Sequence, residues 1–482
     1  MSPAPVLLWF RQDLRLSDHR ALAAAVATER PIVPVYILDD ETPGAWKMGG
    51  ASRWWLHNSL EALSQDLERL GSRLILGRGS SRDLLIALME EAGAESVYVS
   101  RSYEPWARAM EEDIAGELES RGWTLHRFQG ALLFEPEVPR TKAGDPFRVF
   151  TPFYKACLEL GPPKPPLPRP LSSLPSPESW PSSDRLEDWG LLPMQPDWAG
   201  GFREAWVPGE VGAEVRLQRF MDEAMAGYSD KRNRPDIEGT SCLSPHLHFG
   251  EISPHRCWQA IEDRLAEGGK GAKGGRSFLR ELVWREFSYH LLFHWPDLPE
   301  KAFRPEFENF PWDEDQAALK AWQRGLTGYP IVDAGMRELW QTGWMHNRVR
   351  MIVASFLIKD LMIPWQVGET WFWDTLVDAD LANNAASWQW VAGSGADAAP
   401  YFRVFNPVLQ GKKFDPKGAY VRRYVPELVG LADDHLHAPW EAPKEALAAA
   451  GIELGRTYPM PMVDHGKARQ RALQAYEAVK KG

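Results

Sequence analysis

The stretch 343–407 holds GWMHNRVRM at 343–351, IPW at 363–365 and DADLANNAASWQWVAGSGADAAPYFRVFNP at 378–407. It sets Trp344, Trp365, Trp371, Trp373, Trp388 and Trp390 beside amides and paired charges. A core built for stability favours Leu, Ile and Val, because an indole is large, hard to bury completely and carries an N–H that needs a partner. So many indoles next to Asn, Asp and Arg point to redox or stacking chemistry; ordinary core aromatics of a helical domain are the competing reading. From about Arg203 onward the pattern is helical, with long periodic segments and short loops.

Upstream the pattern changes. VLLWF, IVPVYIL, RLILG, ESVYVS and TLHRFQGALL alternate with amphipathic helices. One of these, 52–70, steps Leu56, Leu60, Leu63, Leu67 and Leu70 along one face before Gly71. Strand and helix in turn imply a parallel sheet covered on both faces. The fold class expected is therefore an α/β Rossmann-like domain over 4–135, an interdomain linker over 136–202, and an all-α domain over 203–478. The linker is Pro-rich at 161–198, with nine prolines between Pro162 and Pro181, which keeps it extended. No GxGxxG follows the first strand, so the dinucleotide fingerprint is missing. GGKGAKGG at 268–275 lacks the end of a P-loop and reads as a flexible loop.

At 482 residues and 44% hydrophobic the chain can bury a large core. No run reaches the ~20 apolar residues of a membrane span, and neither a charged n-region nor a cleavage site suggests a signal peptide. A cytoplasmic protein is expected. Cys157, Cys242 and Cys257 have no CxxC spacing and fit a reducing compartment. The net charge of −11 argues mildly against nucleic acid. A local basic run answers it: Arg403, Lys412, Lys413, Lys417, Arg422 and Arg423 stand against Asp415 alone between 401 and 424. By itself such a run is more often a solvated face.

In GTSCLSPHLHFGEIS at 239–253, Ser244 before Pro245 reads as a cap and first turn, which with the hydroxyls of Thr240 and Ser241 would make an anion site. A purely structural cap is the commoner meaning. His246 and His248 form an HxH without further ligands, so no metal is expected.

GWMHNRVRM, DADLANN and the WQWVAGSGADAAPYFRVFNP run, together with LLWFRQDLRLSDHRAL at 7–22 and GYPIVDAGMREL at 328–339, resemble the photolyase/cryptochrome family in order and spacing over nearly the whole chain. The resemblance implies FAD, reduced in the active state. Tyr228, Thr240, Ser241, Cys242, Leu243 and Ser244 would hold its pyrophosphate and ribose. Arg350 and Asp378 would pair against the flavin ring, with Asp380 at its polar edge, although the pair reads equally as a buried salt bridge. Asn384 matches an Asn near flavin N5 in photolyases, where plant cryptochromes carry Asp and many animal ones Cys. Trp388, Trp365 and Trp312 match a tryptophan triad that carries electrons to the flavin from the surface.

The resemblance also implies a pocket for a flipped pyrimidine dimer. Glu281, Trp284, Arg285 and Ser288 lie about a helical turn apart, and Asn347 and Met351 at i, i+4. Glu281 would meet the base carbonyl, and Asn347 would sit between flavin and base. Trp284 and Trp390 would wall the pocket. Relatives that repair (6-4) photoproducts carry histidines where Asn347 and Met351 stand, so the cyclobutane dimer is the expected lesion. Arg232, Arg285, Arg348 and Arg403 would grip phosphates. The N-terminal domain would carry an antenna beside Glu104, Trp46 and Trp106: 5,10-methenyltetrahydrofolate first, a deazaflavin second. Three scattered thiols cannot supply the four ligands of an iron–sulfur cluster, so none is expected.

The expected activity is light-driven repair of cyclobutane pyrimidine dimers by electron transfer from FADH⁻, by a monomer acting on UV-damaged, preferably double-stranded DNA. The alternative is a cryptochrome-type blue-light photoreceptor. Asn384, the complete pocket and a chain ending soon after HGKARQRAL at 465–473 weigh against it.

Overall fold

In the computed structural model, which describes residues 3–170, 173–268, 271–397 and 402–481, β1 (Val6–Phe10) runs through the middle of a five-stranded parallel sheet. β2 (Ile32–Leu38), β3 (Ile75–Arg78), β4 (Ser96–Ser100) and β5 (Thr124–Phe128) complete it in the order β3-β2-β1-β4-β5. Val6 pairs with Ile32 on one side of β1 and Leu7 with Val97 on the other. Every residue of β1, β2 and β4 is buried, which is why these strands read as continuous apolar runs rather than alternating ones.

The helices α1 (Arg20–Val26), α2 (Gly50–Arg69), α3 (Ser81–Ala92) and α4 (Pro105–Ser120) cover the sheet. Alternate β1 side chains feed two cores: Leu8 and Phe10 pack with Leu56 and Leu60 of α2, while Leu7 and Trp9 pack with Leu85 of α3 and Ile114 of α4. The leucine stripe expected on α2 is buried at Leu56, Leu60, Leu63 and Leu67, and Gly71 stops the chain at φ +71°.

The segment 136–202 is more than a linker. It carries a two-turn-plus helix, α5 (Phe150–Glu159), whose Phe150, Phe153 and Cys157 are buried. Its Pro-rich part is extended, but pinned: Leu174 N donates to Leu70 O at 2.9 Å and Asp184 N to Leu76 O at 2.8 Å. Leu171 and Ser172 of this part lie outside the described residues.

The second lobe packs the helices Ala272–His294, Pro330–Thr342, Asn347–Ser355, Trp365–Thr375 and Leu381–Ala392 around a core that includes Trp322, Val353, Phe356, Trp365 and Trp388. The glycine-rich run 268–275 is not a loop throughout. Gly269 and Lys270 lie outside the described residues, but Ala272 to Gly275 already form the first turn of the Ala272–His294 helix. A Cβ on Gly274 would collide with the carbonyl of Met225, so glycine here serves close packing of chain on chain. Among the described residues no helix is long and apolar enough to cross a membrane.

Glu251 joins the lobes. Fully buried, it accepts from Trp55 Nε1 on α2 at 2.9 Å and from Gly209 N at 2.7 Å, and meets His246 Nδ1. Arg15 adds a bond from Nη1 to Gly250 O at 2.9 Å.

Candidate flavin cleft and substrate pocket

Two short turns position the polar centre of the helical lobe. Gly343, at φ +66°, ends the helix Pro330–Thr342, and His346 caps the next helix, accepting from Arg348 N at 3.1 Å. Arg350, one turn on, reaches back to Met345 O at 2.7 Å and across to Asp378 Oδ2 at 2.8 Å. The expected ion pair is formed. The other oxygen, Asp378 Oδ1, is buried without a partner.

A buried acceptor left open beside a guanidinium is costly unless a ligand donor meets it. The imide edge of a flavin offers such a donor, so the residues present fit the group. Bound there, FAD would be held by Arg350, Asp378 and Asn384 and would supply one-electron chemistry.

Asp380 caps the helix Leu381–Ala392, accepting from Asn383 N at 2.8 Å and Asn383 Nδ2 at 2.7 Å. Tyr289 OH donates to its other oxygen, and His248 Nδ1 lies 3.7 Å away. Burial alone would raise this carboxyl, but His248, Arg285 and Tyr289 hold it well below the usual carboxylate range. Its oxygens are thus engaged by the protein, so the side chain of Asp380 shapes the cleft rather than standing free at a flavin edge.

Asn384 is buried, and its Nδ2 donates to Glu369 O at 3.0 Å. Glu369 itself was not singled out in the sequence. Its side chain is buried, both carboxylate oxygens lack partners, and burial, reinforced by Glu300, pushes its carboxyl well above the ordinary value. The signal in the sequence was a lone acid in the apolar run WQVGETWFW.

The loop 240–244 has Cys242 at φ +51°, a region that non-glycine residues seldom adopt. Thr240 Oγ1 lies 3.6 Å from Cys242 Sγ, and Leu243 N donates to Ser241 Oγ at 3.4 Å. Ser244 corrects the cap reading. It is the first residue of the single-turn helix Ser244–His248, Leu243 holds the position before it without a side-chain cap, and Ser244 Oγ accepts from Trp344 Nε1 at 3.2 Å. Tyr228 is buried beneath Arg232 and Glu281, its hydroxyl pushed up to about 12, first by burial and then by Glu281.

Glu281 and Arg232 form an ion pair at the pocket, each about one-third exposed. Burial raises the Glu281 carboxyl while Arg232 opposes the rise. Asn347 is exposed and Met351 half-buried on the face where i, i+4 spacing sets them. Trp284 is half-buried and stacked on Phe150 of α5. Trp390, half-buried, packs against the main helical core. Ser288 is turned inward, its hydroxyl bonded to Trp284 O at 3.3 Å.

Arg285 departs from expectation. Its side chain is 13% exposed, donates from Nη1 to Ala131 O at 3.0 Å and lies 4.8 Å from the ring centroid of Tyr289. Glu286, Asp380 and the Tyr289 ring draw the guanidinium inward, so it belongs to the seam between lobes and not to a phosphate-gripping mouth. There it lines a crevice with Arg11, Ser100, Tyr103 and His248 at the ends of β1 and β4, the point where strand order reverses. By contrast Arg232, Arg348 and Arg403 converge. Arg348, bonded to Asn233 Oδ1 at 2.8 Å, is held below its usual range by burial and by the charges of Arg232 and Arg403. The three make a locally positive field, although Arg232 is already paired with Glu281.

The antenna candidates are separated in their contacts. Trp46 meets Trp373 edge-on at 5.5 Å, and Trp106 is half-buried on α4. Glu104 is buried at the start of α4, accepting from Tyr103 N at 3.2 Å, with its carboxyl raised by burial and by Asp380. It faces the seam, where Asp380 and His248 act on it. Trp388 and Trp365 are each 2% exposed and Trp312 half-buried, and all three pack in one core cluster, the exposure rising toward Trp312.

Comparison with known proteins agrees with this geometry. Residues 278–478 match the model of the FAD binding domain of DNA photolyase, and residues 6–171 match the DNA photolyase model. A deoxyribodipyrimidine photo-lyase from Agrobacterium fabrum is 54% identical over 481 residues, covering 100% of this chain and 99% of the relative. Cryptochrome-1 of Arabidopsis thaliana is 38% identical, covering 97% of this chain and 70% of the relative. Among solved structures, a bacterial class III photolyase from Agrobacterium tumefaciens superposes with a TM-score of 0.96 at 54% identity, covering 100% of this chain and 99% of that one. The chain belongs to the DNA photolyase family.

Proposed function

We propose that this chain is a light-driven cyclobutane pyrimidine dimer photolyase of the class III type, acting as a cytoplasmic monomer on UV-damaged duplex DNA. The observation that carries the reading is Glu281: a partly buried carboxyl raised above its ordinary value by burial, one helical turn from Trp284 and paired with Arg232, whose charge also acts on Arg348 of the helix that carries Asn347 and Met351. Reduced FAD, when bound and illuminated, supplies the electron that opens the dimer.

The chain's own residues do the rest. Trp284 and Trp390 present aromatic surface to an extruded base pair, and Glu281 offers a proton or hydrogen bond to a carbonyl where negative charge grows. Asn347 places an amide at the same pocket. Arg232, Arg348 and Arg403 draw in the phosphate backbone without reading sequence. Trp388, Trp365 and Trp312 form the route by which an oxidised cofactor is restored from the surface. The side chains of Trp46 and Trp106 mark the antenna surface, with 5,10-methenyltetrahydrofolate ahead of a deazaflavin.

The test is anaerobic repair of a duplex carrying one thymine dimer, with reduced protein, in blue light and in darkness. Light-dependent restoration is expected; none, despite bound reduced flavin, would replace this reading with a photoreceptor. Glu281→Ala should lower the yield of repair more than the affinity for damaged DNA, and a defect confined to affinity would remove Glu281 from the chemistry.

A further inference from the structure

We propose, resting on the pocket described above, that Phe150 of α5 is a positioning residue for the damaged base: it fixes the plane of Trp284 from behind and leaves one indole face for stacking. The two rings lie 3.6 Å apart between centroids at 6°. Tyr154 continues the column on Phe150 at 5.8 Å and 23°, and Phe287 closes it edge-on, 5.9 Å from both Phe150 and Trp284. The Arg280 guanidinium caps the stack, 5.3 Å from Phe150 and 5.6 Å from Tyr154. Phe150 is 1% exposed, whereas Trp284 is half-buried, so the column ends at solvent with the indole.

A side chain that must stack on a base gains when its own torsions are already restricted, because less freedom is lost on binding. An indole covered on one face by a ring fixed at the start of a helix is restricted in this way. The same residue also reaches the other lobe: Phe150 N donates to Asp397 Oδ2 at 3.4 Å, four residues beyond the Gly393 that ends the Trp390 helix. The chain between the lobes is thereby tied to the segment that follows the Trp390 helix.

Phe150→Leu in the full-length, FAD-loaded protein tests this. Affinity for a duplex with one thymine dimer should fall about five- to tenfold, within the range of a base–aromatic stack, while affinity for the undamaged duplex and FAD content stay as in the wild type. In a Trp284→Ala background the same substitution should cost nothing further, as a double-mutant cycle reads coupling directly. Phe150→Met, which keeps more of the volume, serves in its place if the leucine variant loses FAD. Equal loss for damaged and undamaged duplex, or an undiminished effect without Trp284, would overturn the assignment. A wild-type protein that does not prefer damaged duplex would overturn both this and the repair function; failure of Phe150 alone would leave that preference intact.

Discussion

Two tryptophan-rich regions of this molecule are built on opposite terms. Around Trp55 the indoles cross edge-to-face with Trp54 at 6.2 Å and Trp206 at 5.4 Å, and the N–H groups of Trp55 and Trp206 are met: Trp55 donates to Glu251 at 2.9 Å and Trp206 to Thr342 O at 2.7 Å. Around Trp388, by contrast, the buried acid Glu369 has none of the donors that Glu251 has, and the nearby Trp371 Nε1 is buried without a partner among the described residues. Both glutamates are 0–1% exposed. The difference teaches that a count of indoles does not mark function. What sets the second region apart is a buried carboxyl with both oxygens unmet, a group that calls for an explanation wherever it is kept.

The matched pair of substitutions that would break this comparison has the largest effect. Trp55→Ala should cost about 3–5 kcal/mol of stability, from the lost ring and the orphaned Glu251 carboxylate, and in the protein that remains folded it should leave flavin photoreduction unchanged. Trp388→Phe should do the reverse. Thermal melting shifts less, photoreduction of oxidised flavin slows severely, and repair by protein reduced beforehand is nearly intact. If the two variants lost stability and photoreduction in the same proportion, the regions would not differ in kind.

A subtler change moves Trp388 without removing it. A Cβ on Gly368 would collide with the six-membered ring of Trp388 and crowd Leu357. Gly368→Ala should therefore cost about 1–3 kcal/mol by overpacking and slow photoreduction while every indole is retained. Unchanged photoreduction, measured by the bleaching of flavin absorbance under blue light, would mean that the position of Trp388 is not what the reaction needs.

Much of this was legible beforehand, for reasons that differ by lobe. The sheet announced itself because parallel strands buried on both faces must be apolar throughout, and α2 because its leucines repeat at helical spacing. The Arg350–Asp378 pair followed from motif. Other features needed the third dimension. Periodicity puts Arg285 on a face with Glu281, but not which lobe that part of the face meets, and the seam charges turned it inward. A glycine run reads as a loop unless one sees that Met225 occupies the space a side chain would take. Prolines tell of an extended connector and mask the short helix before them, which carries the ring behind Trp284.

The smallest effect gives the finest test, because it asks what state the unmet acid is in. Burial raises Glu369 well above 4.5, so the folded chain holds a proton that the unfolded chain releases. The folded state then binds more protons than the unfolded one at pH values above about 4.5, and stability falls as pH rises, by at most about 1.4 kcal/mol per pH unit from this group. The contribution is complete below the unfolded value and is lost progressively toward the folded one. Glu369→Gln, neutral at every pH and similar in shape, should remove that slope, so urea unfolding at pH 5.5 and pH 8 should bring the variant up to or past the wild type at the higher pH. Because Asn384 hangs from the Glu369 carbonyl, the same substitution should leave FAD content unchanged. An identical pH dependence in both proteins would mean that Glu369 is ionised or paired after all, and the contrast with Glu251, a buried acid that has its donors, would lose its second half.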